Sequence, residues 1–119
     1  MEAALSEVLN AGPLEIRPAQ QVAIVGGATT LNLTRHELGL LLALARRAGA
    51  VIGREELAEV AWGRPLRAGD RSVDVYVRRL RQKLAQAAPG WEFIHTHFAF
   101  GYRFGPERSQ LFHIRATGS

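Results

Sequence analysis

The 119 residues contain no cysteine. Disulfides and thiol chemistry are thereby excluded, and the composition fits a reducing compartment. Long apolar runs are also missing. The longest, Leu38 to Ala45, falls well short of the roughly 20 residues that cross a bilayer. The opening "MEAALSEVLN" has neither a basic start nor a cleavage-like pattern, so no signal peptide is expected. These features predict a soluble, cytoplasmic chain with no membrane partner. Catalytic constellations are equally scarce. Ser6, Ser72 and Ser109 have no His and acid signature nearby. Gly26-Gly27 leads into no Lys-Ser/Thr helix start, so it reads as a turn and not a phosphate loop. His95 and His97 share one strand face, and His113 could join them. Without cysteine or a well-spaced carboxylate they read as ordinary surface histidines. No enzyme activity, metal or cofactor is expected.

What is present is a core and an uneven charge. Apolar residues make up 47% of a chain the size of one domain, so wholesale disorder is excluded. Residues 64–83 hold seven cations against Asp70 and Asp74, a net of +5, while the whole chain carries +4. Such a localised patch suggests a polyanionic partner; a merely solvated basic surface is the alternative.

Residues 1–12 offer few anchors and read as a linker or a frayed helix. The runs "LEIRP", "QVAIV" and "TTLNL" read as short strands. Val22 and Ile24, then Leu31 and Leu33, supply the alternation; Pro18 and Gly26-Gly27 interrupt it. "TRHE" has the form of a capping box, so Thr34 opens a helix. Leu38, Leu41, Leu42 and Ala45 form its stripe, widened by Leu40 and Leu44, and Gly39 allows close packing. A second helix, "REELAEVAW", should turn Leu57, Val60 and Ala61 inward and end at Gly63. "RPLRAG" is a loop. A third helix begins at Asp70 and stops near "APG". "WEFIHTH" and "YRFG" form a hairpin through "FAFG". Residues 105–119 read as a polar tail in which Leu111, Phe112 and Ile114 could pack.

The third helix, residues 70–86, carries the functional signal. At about 100° per residue, Val73, Val77, Leu80 and Leu84 fall within roughly 60° of one another. Arg71, Val75, Arg78, Arg79 and Gln82 gather on the other side within about 100°. A rod anchored behind and rich in guanidinium in front suits the major groove of DNA. Arginine there can bond two acceptors of guanine or pair with phosphate, and Val75 can meet a thymine methyl. Tyr76 and Arg81, on the flanks, suit phosphate contacts. An ordinary amphipathic surface helix is the alternative reading.

The ordered series "LTRHELGLLLAL", "REELAEVAWG", "DRSVDVYVRRLRQKL" and a hairpin ending "GYRF" resembles the C-terminal effector domain of the OmpR/PhoB response regulators. The likeness spans about residues 14–104. It implies an α+β winged helix-turn-helix: an N-terminal antiparallel sheet, three helices and a C-terminal hairpin wing, with the domain at residues 13–104. It also implies sequence-specific binding of double-stranded promoter DNA for transcriptional regulation, often as a second copy on tandem sites. The resemblance places Asp74 and Arg79 at base edges, beside Val75 and Gln82. Arg71, Ser72, Tyr76, Arg78 and Arg81 fall on backbone positions, with Trp62, Thr96 and Tyr102. Arg64, Pro65, Leu66 and Arg67 match a loop that in activators can touch RNA polymerase. No Asp resembles a receiver-domain phosphoacceptor, so any regulatory domain would lie upstream of residue 1. The wing departs from the family pattern Thr-Val-Arg-Gly-x-Gly-Tyr. Phe98 replaces the minor-groove Arg, and Ala99 replaces a turn Gly. Phe98 and Phe100 are expected to pack under the wing, because exposed aromatic residues usually need a partner; lying against sugars is the alternative. A protein-interaction module with weak or no DNA binding is the alternative to the DNA reading.

Overall fold

Four short strands open the chain in the computed structural model, which describes residues 7–109. They are β1 (Leu9–Ala11), β2 (Leu14–Arg17), β3 (Val22–Val25) and β4 (Thr29–Thr30), in one antiparallel sheet of order β1-β2-β3-β4. A 3-10 turn, Pro18–Gln20, separates β2 from β3. The β1 strand overturns the linker or frayed helix expected there. Leu9 pairs with Ile16, and a tight turn at Gly12 (φ +56) and Pro13 returns the chain. Three residues are too few to show a period, so only the partner strand reveals this one. In β3 the core face is Ala23 and Val25, with Val22 and Ile24 half-buried. Register decides this: Val25 lies opposite Leu14 and Ala23 opposite Ile16, and β2 buries Leu14 and Ile16. All four β3 side chains are apolar, so alternation could not select between the faces. Leu31 and Leu33 lie beyond β4 and pack from a loop.

Three helices follow: α1 (Arg35–Ala45), α2 (Arg54–Trp62) and α3 (Ser72–Ala87). Thr34 caps α1 through the full box. Its hydroxyl accepts from Glu37 N–H at 3.2 Å, and its own N–H donates to Glu37 Oε1 at 2.8 Å. Leu40, Leu41 and Leu44 are wholly buried, so the stripe is centred there. Leu38 and Leu42 are only half-buried. Glu37 is buried with them, its carboxylate accepting from Lys83 Nζ of α3 at 2.6 Å. Close approach of α1 and α2 is set at Gly39, where a Cβ would stand 2.8 Å from the Ala61 carbonyl oxygen. Helix α2 buries Leu57 and Ala58. Val60, expected inward, is 59% exposed, because α2 offers only a narrow face to the core.

A two-residue strand, β5 (Val51–Ile52), joins β6 (Trp91–His97) and β7 (Gly101–Arg108) in a second antiparallel sheet of order β5-β7-β6. Strand β5 is too short for the sequence to signal. The hairpin is longer than expected: β7 runs to Arg108, which pairs with Trp91, so ordered structure passes the boundary placed at residue 104. The core joins both sheets and all three helices. Leu14, Leu40, Leu57, Leu80, Ile52 and Phe104 are each almost completely buried. Leu111, Phe112, His113 and Ile114 lie outside the described residues.

Candidate nucleic-acid interface

Helix α3 starts from a tethered loop. Asp70 Oδ1 accepts from Ser72 N–H at 2.9 Å, so Asp70 caps the helix from two residues before its first turn. Arg64 reaches back to Asp70 Oδ2 at 3.1 Å and to Ser72 Oγ at 2.9 Å. The Ser72 bonds, backbone first, and Arg64 hold the Asp70 carboxyl below its ordinary range. Within the loop Leu66 packs on the core, while Pro65 and Arg67 are exposed.

Val73, Val77, Leu80 and Leu84 are all buried, and α3 is thereby fixed in rotation against α1 and β6. On the far side Val75, Arg78, Arg79 and Gln82 line one shallow depression open to solvent. Arg71 extends this face at its N-terminal end, with a side chain 81% exposed. Arg79 lies 5.2 Å above the Tyr76 ring. Among the described residues, Arg78 and Arg79 form no ion pair with a carboxylate.

Asp74 is differently placed. Its Oδ1 accepts from Arg54 Nε at 2.7 Å and from the Tyr102 hydroxyl, while Oδ2 stands 3.8 Å from Arg71 Nε. Burial alone would push this carboxyl up. The Tyr102 and Arg54 bonds outweigh it, and the group titrates below the ordinary aspartate range. Burial, and then the bond to Asp74, raise the Tyr102 hydroxyl. The bond to Asp74 raises Arg54. Arg54 was not singled out in the sequence, and no local signal could have done so, because it lies twenty residues from its partner.

Other expected contacts are committed internally. Arg81 donates to the Ile94 carbonyl from Nε (3.1 Å) and Nη2 (2.9 Å), and to Thr96 Oγ1 at 2.6 Å. Its guanidinium also lies 5.5 Å from the Tyr102 ring. Trp62 donates its indole N–H to the His36 carbonyl at 3.0 Å. His36, Trp62 and Tyr76 form a triangle of rings with centroids 5.3 Å apart. Sequence reading missed His36, whose place in this cluster exists only once α1, α2 and α3 meet.

The β6–β7 turn differs most from expectation. Phe98 and Phe100 do not pack under the hairpin; they are 89% and 75% exposed. The turn is closed by Phe100 N–H donating to His97 O at 2.9 Å, with Ala99 at φ +70. Both rings belong to the turn beyond the last strand pair, His97 and Gly101, and stay open to solvent. His97 accepts from Arg103 Nε at 3.1 Å, and His95 donates to the Gly105 carbonyl at 2.8 Å. Among the described residues no three His, Cys, Asp or Glu side chains converge as a metal site. No helix among them is long and apolar enough to cross a membrane.

Three helices with a solvent-facing third one, flanked by a β-hairpin that bonds to it, define a winged helix-turn-helix. The chain belongs to the family described as "Transcriptional regulatory protein, C terminal", matched over residues 28–104, the effector domains of the OmpR/PhoB-type response regulators. It is 37% identical to the transcriptional regulatory protein PrrA of Mycobacterium tuberculosis over 97 residues, 82% of this chain and 41% of that protein. It thus spans about two-fifths of the length of such relatives. The structure is similar to the DNA-binding domain of CpxR from Escherichia coli, with a TM-score of 0.75 and 32% identity over 84% of this chain and 97% of that one. It is also similar to the Klebsiella pneumoniae RstA DNA-binding domain in complex with the RstA box. There the TM-score is 0.73 and the identity 31%, over 83% of this chain and 97% of that one.

Proposed function

We propose that this chain binds double-stranded DNA sequence-specifically, with α3 in the major groove, as the effector domain of a cytoplasmic transcription regulator. The observation that carries the reading is the solvent-facing set Val75, Arg78, Arg79 and Gln82, whose arginines form no ion pair among the described residues, on a helix whose opposite side is locked into the core. Arg79 and Gln82 have the donors and acceptors to read base edges, and Val75 meets a thymine methyl. Arg71 and Arg78 hold phosphates, with the Tyr76 hydroxyl beside them. Asp74 orients Arg54 and Arg71; a base contact from it uses Oδ2, on a cytosine amino group. Arg81, Ser72, Thr96, Trp62 and Tyr102 serve chiefly by fixing α3 relative to the wing and to α1, within reach of the backbone. If the domain contacts RNA polymerase, Pro65 and Arg67 offer the exposed part of that loop, since Arg64 and Leu66 are engaged internally. Tandem binding by a second copy would be read in the spacing of half-sites.

The test is selection from a randomised duplex pool, followed by mobility shifts on the selected and scrambled duplexes across a salt series. A retained motif with affinity falling steeply with salt is expected. Absence of binding to any duplex at low salt refutes the reading and favours a protein-interaction module.

A further inference from the structure

We propose that Phe98 and Phe100 form an apolar wedge that enters the minor groove beside the major-groove site and selects flexible pyrimidine–purine steps there. The inference rests on the DNA reading above. Soluble domains seldom leave two large aromatic side chains this open within one turn, here two positions apart. Here they stand at the end of a braced arm. Thr96 and Tyr102, paired across the hairpin, are the last residues to touch α3, at Arg81 and Asp74. The turn begins one pair later, at His97 and Gly101. The base of the turn is pressed against β5, where a Cβ at Gly101 would overlap the Ile52 carbonyl. The phenyl rings are therefore presented on backbone that is already fixed, and little order has to be gained on binding.

Position and charge select the occupant. Moving outward from a helix in the major groove, a flanking arm first crosses the phosphates and then meets the minor groove, about 6 Å wide. The side chains along that path are cationic: Arg71 on the exposed face, Arg54 at the base of the wing, and Arg81 beside Thr96. The carboxylate among them, Asp74, is paired with Arg54 and accepts from the Tyr102 hydroxyl, so Arg71 and Arg81 carry the net charge. A protein surface would be met by a charged rim; a polyanion with an apolar cleft of sugars and base edges matches both the cations and the rings. Apolar wedges in the minor groove act by opening base steps, and the TA and CA/TG steps open most readily. An Arg at this place would instead favour stiff A-tracts with a narrow groove.

The experiment compares the unaltered protein with Phe98→Ala and Phe98→Arg, each checked by thermal melting. Selection from random duplexes is followed by anisotropy titrations over a salt series. The unaltered protein should enrich TA or CA/TG in the flank. Phe98→Ala should lose that flank preference and bind about tenfold more weakly with the same log–log salt slope. Phe98→Arg should steepen the slope by roughly one and shift the flank toward A-tracts. Equal affinity and identical flanks in all three proteins would overturn the wedge while leaving the major-groove reading intact. Failure of the unaltered protein to bind any duplex would overturn both.

Discussion

Replacing Asp74 by Asn removes one charge while nearly preserving shape, and the structure sets what that costs. The carboxylate accepts from Arg54 and Tyr102 and stands near Arg71, so three elements converge on one group: α2, α3 and β7. A hydrogen bond to a charged group contributes about 1.5–3 kcal/mol, and the amide oxygen keeps part of it. The side chain is 30% exposed, so solvent screening lowers the figure. A loss of about 1–2 kcal/mol follows, or a melting temperature lower by about 5–10 °C for a domain of this size. The pH dependence has a definite sign. Folding holds Asp74 below its unfolded value. Its contribution is therefore complete above the unfolded pKa of about 3.9, and it is lost as pH falls through the lower folded value. Asp74→Asn should melt lower at pH 7, and the gap should close on acidification below pH ~4. Binding should change in opposite directions: affinity for scrambled DNA rises with the added positive charge, and the ratio of selected to scrambled affinity falls as the wing loosens from α3. The assays are thermal melts from pH 2.5 to 7, roughly spanning that transition, and paired titrations. A variant as stable as the original at neutral pH, with an unchanged specificity ratio, would refute the idea that this carboxylate holds the interface together.

Arg79→Ala should cost about 1–3 kcal/mol on the selected duplex and relax preference at one position. Arg78→Ala should weaken selected and scrambled duplexes alike and lower the salt slope by roughly one; identical sequence preference in the Arg79 variant would sink its base-reading role. Ala99→Gly relieves a side chain held at φ +70 and should raise stability in urea by about 0.5–1 kcal/mol, the relief being partly offset by the greater freedom of Gly when unfolded. Lys83→Met strands the buried Glu37 carboxylate and should cost about 2–3 kcal/mol. Burial tends to raise Glu37, but Lys83 and the Thr34 cap hold it low in the original. The gap between the Lys83 variant and the original should accordingly narrow as pH falls through the carboxylate range, as melts across an acid series would show.

Elements with dense local information were legible in the sequence. The Thr34 and Glu37 box, the α3 stripe and the Gly26-Gly27 turn each depend on residues a few positions apart, and each occurs as read. What failed depends on partners distant in the chain. Strand β1 exists because Ile16 and Leu14 lie opposite Leu9 and Ala11, and β5 because Tyr102 and Arg103 reach it. Val60 was misplaced because the second helix shows the core too narrow a face, which its own periodicity does not reveal. At the candidate site, the exposed cationic face of α3 could be read from spacing alone. The internal ties of Asp74 to Arg54 and of Arg81 to Ile94 could not, since they cross from helix to helix and from helix to strand. Phe98 and Phe100 are expected beneath the wing because exposed aromatic rings usually need a partner, yet the turn that carries them leaves both open to solvent.

Glu7 bonds Arg46 at 3.1 Å, just past the C-terminal end of α1. The other end of that helix, about 16 Å away by its rise per residue, holds His36 against Trp62 of α2 and Tyr76 of α3. Residue 7 therefore offers a handle remote from the groove-reading side. A fluorophore, bead or surface coupling joined there leaves the cationic helix and the phenylalanine arm free to search a duplex.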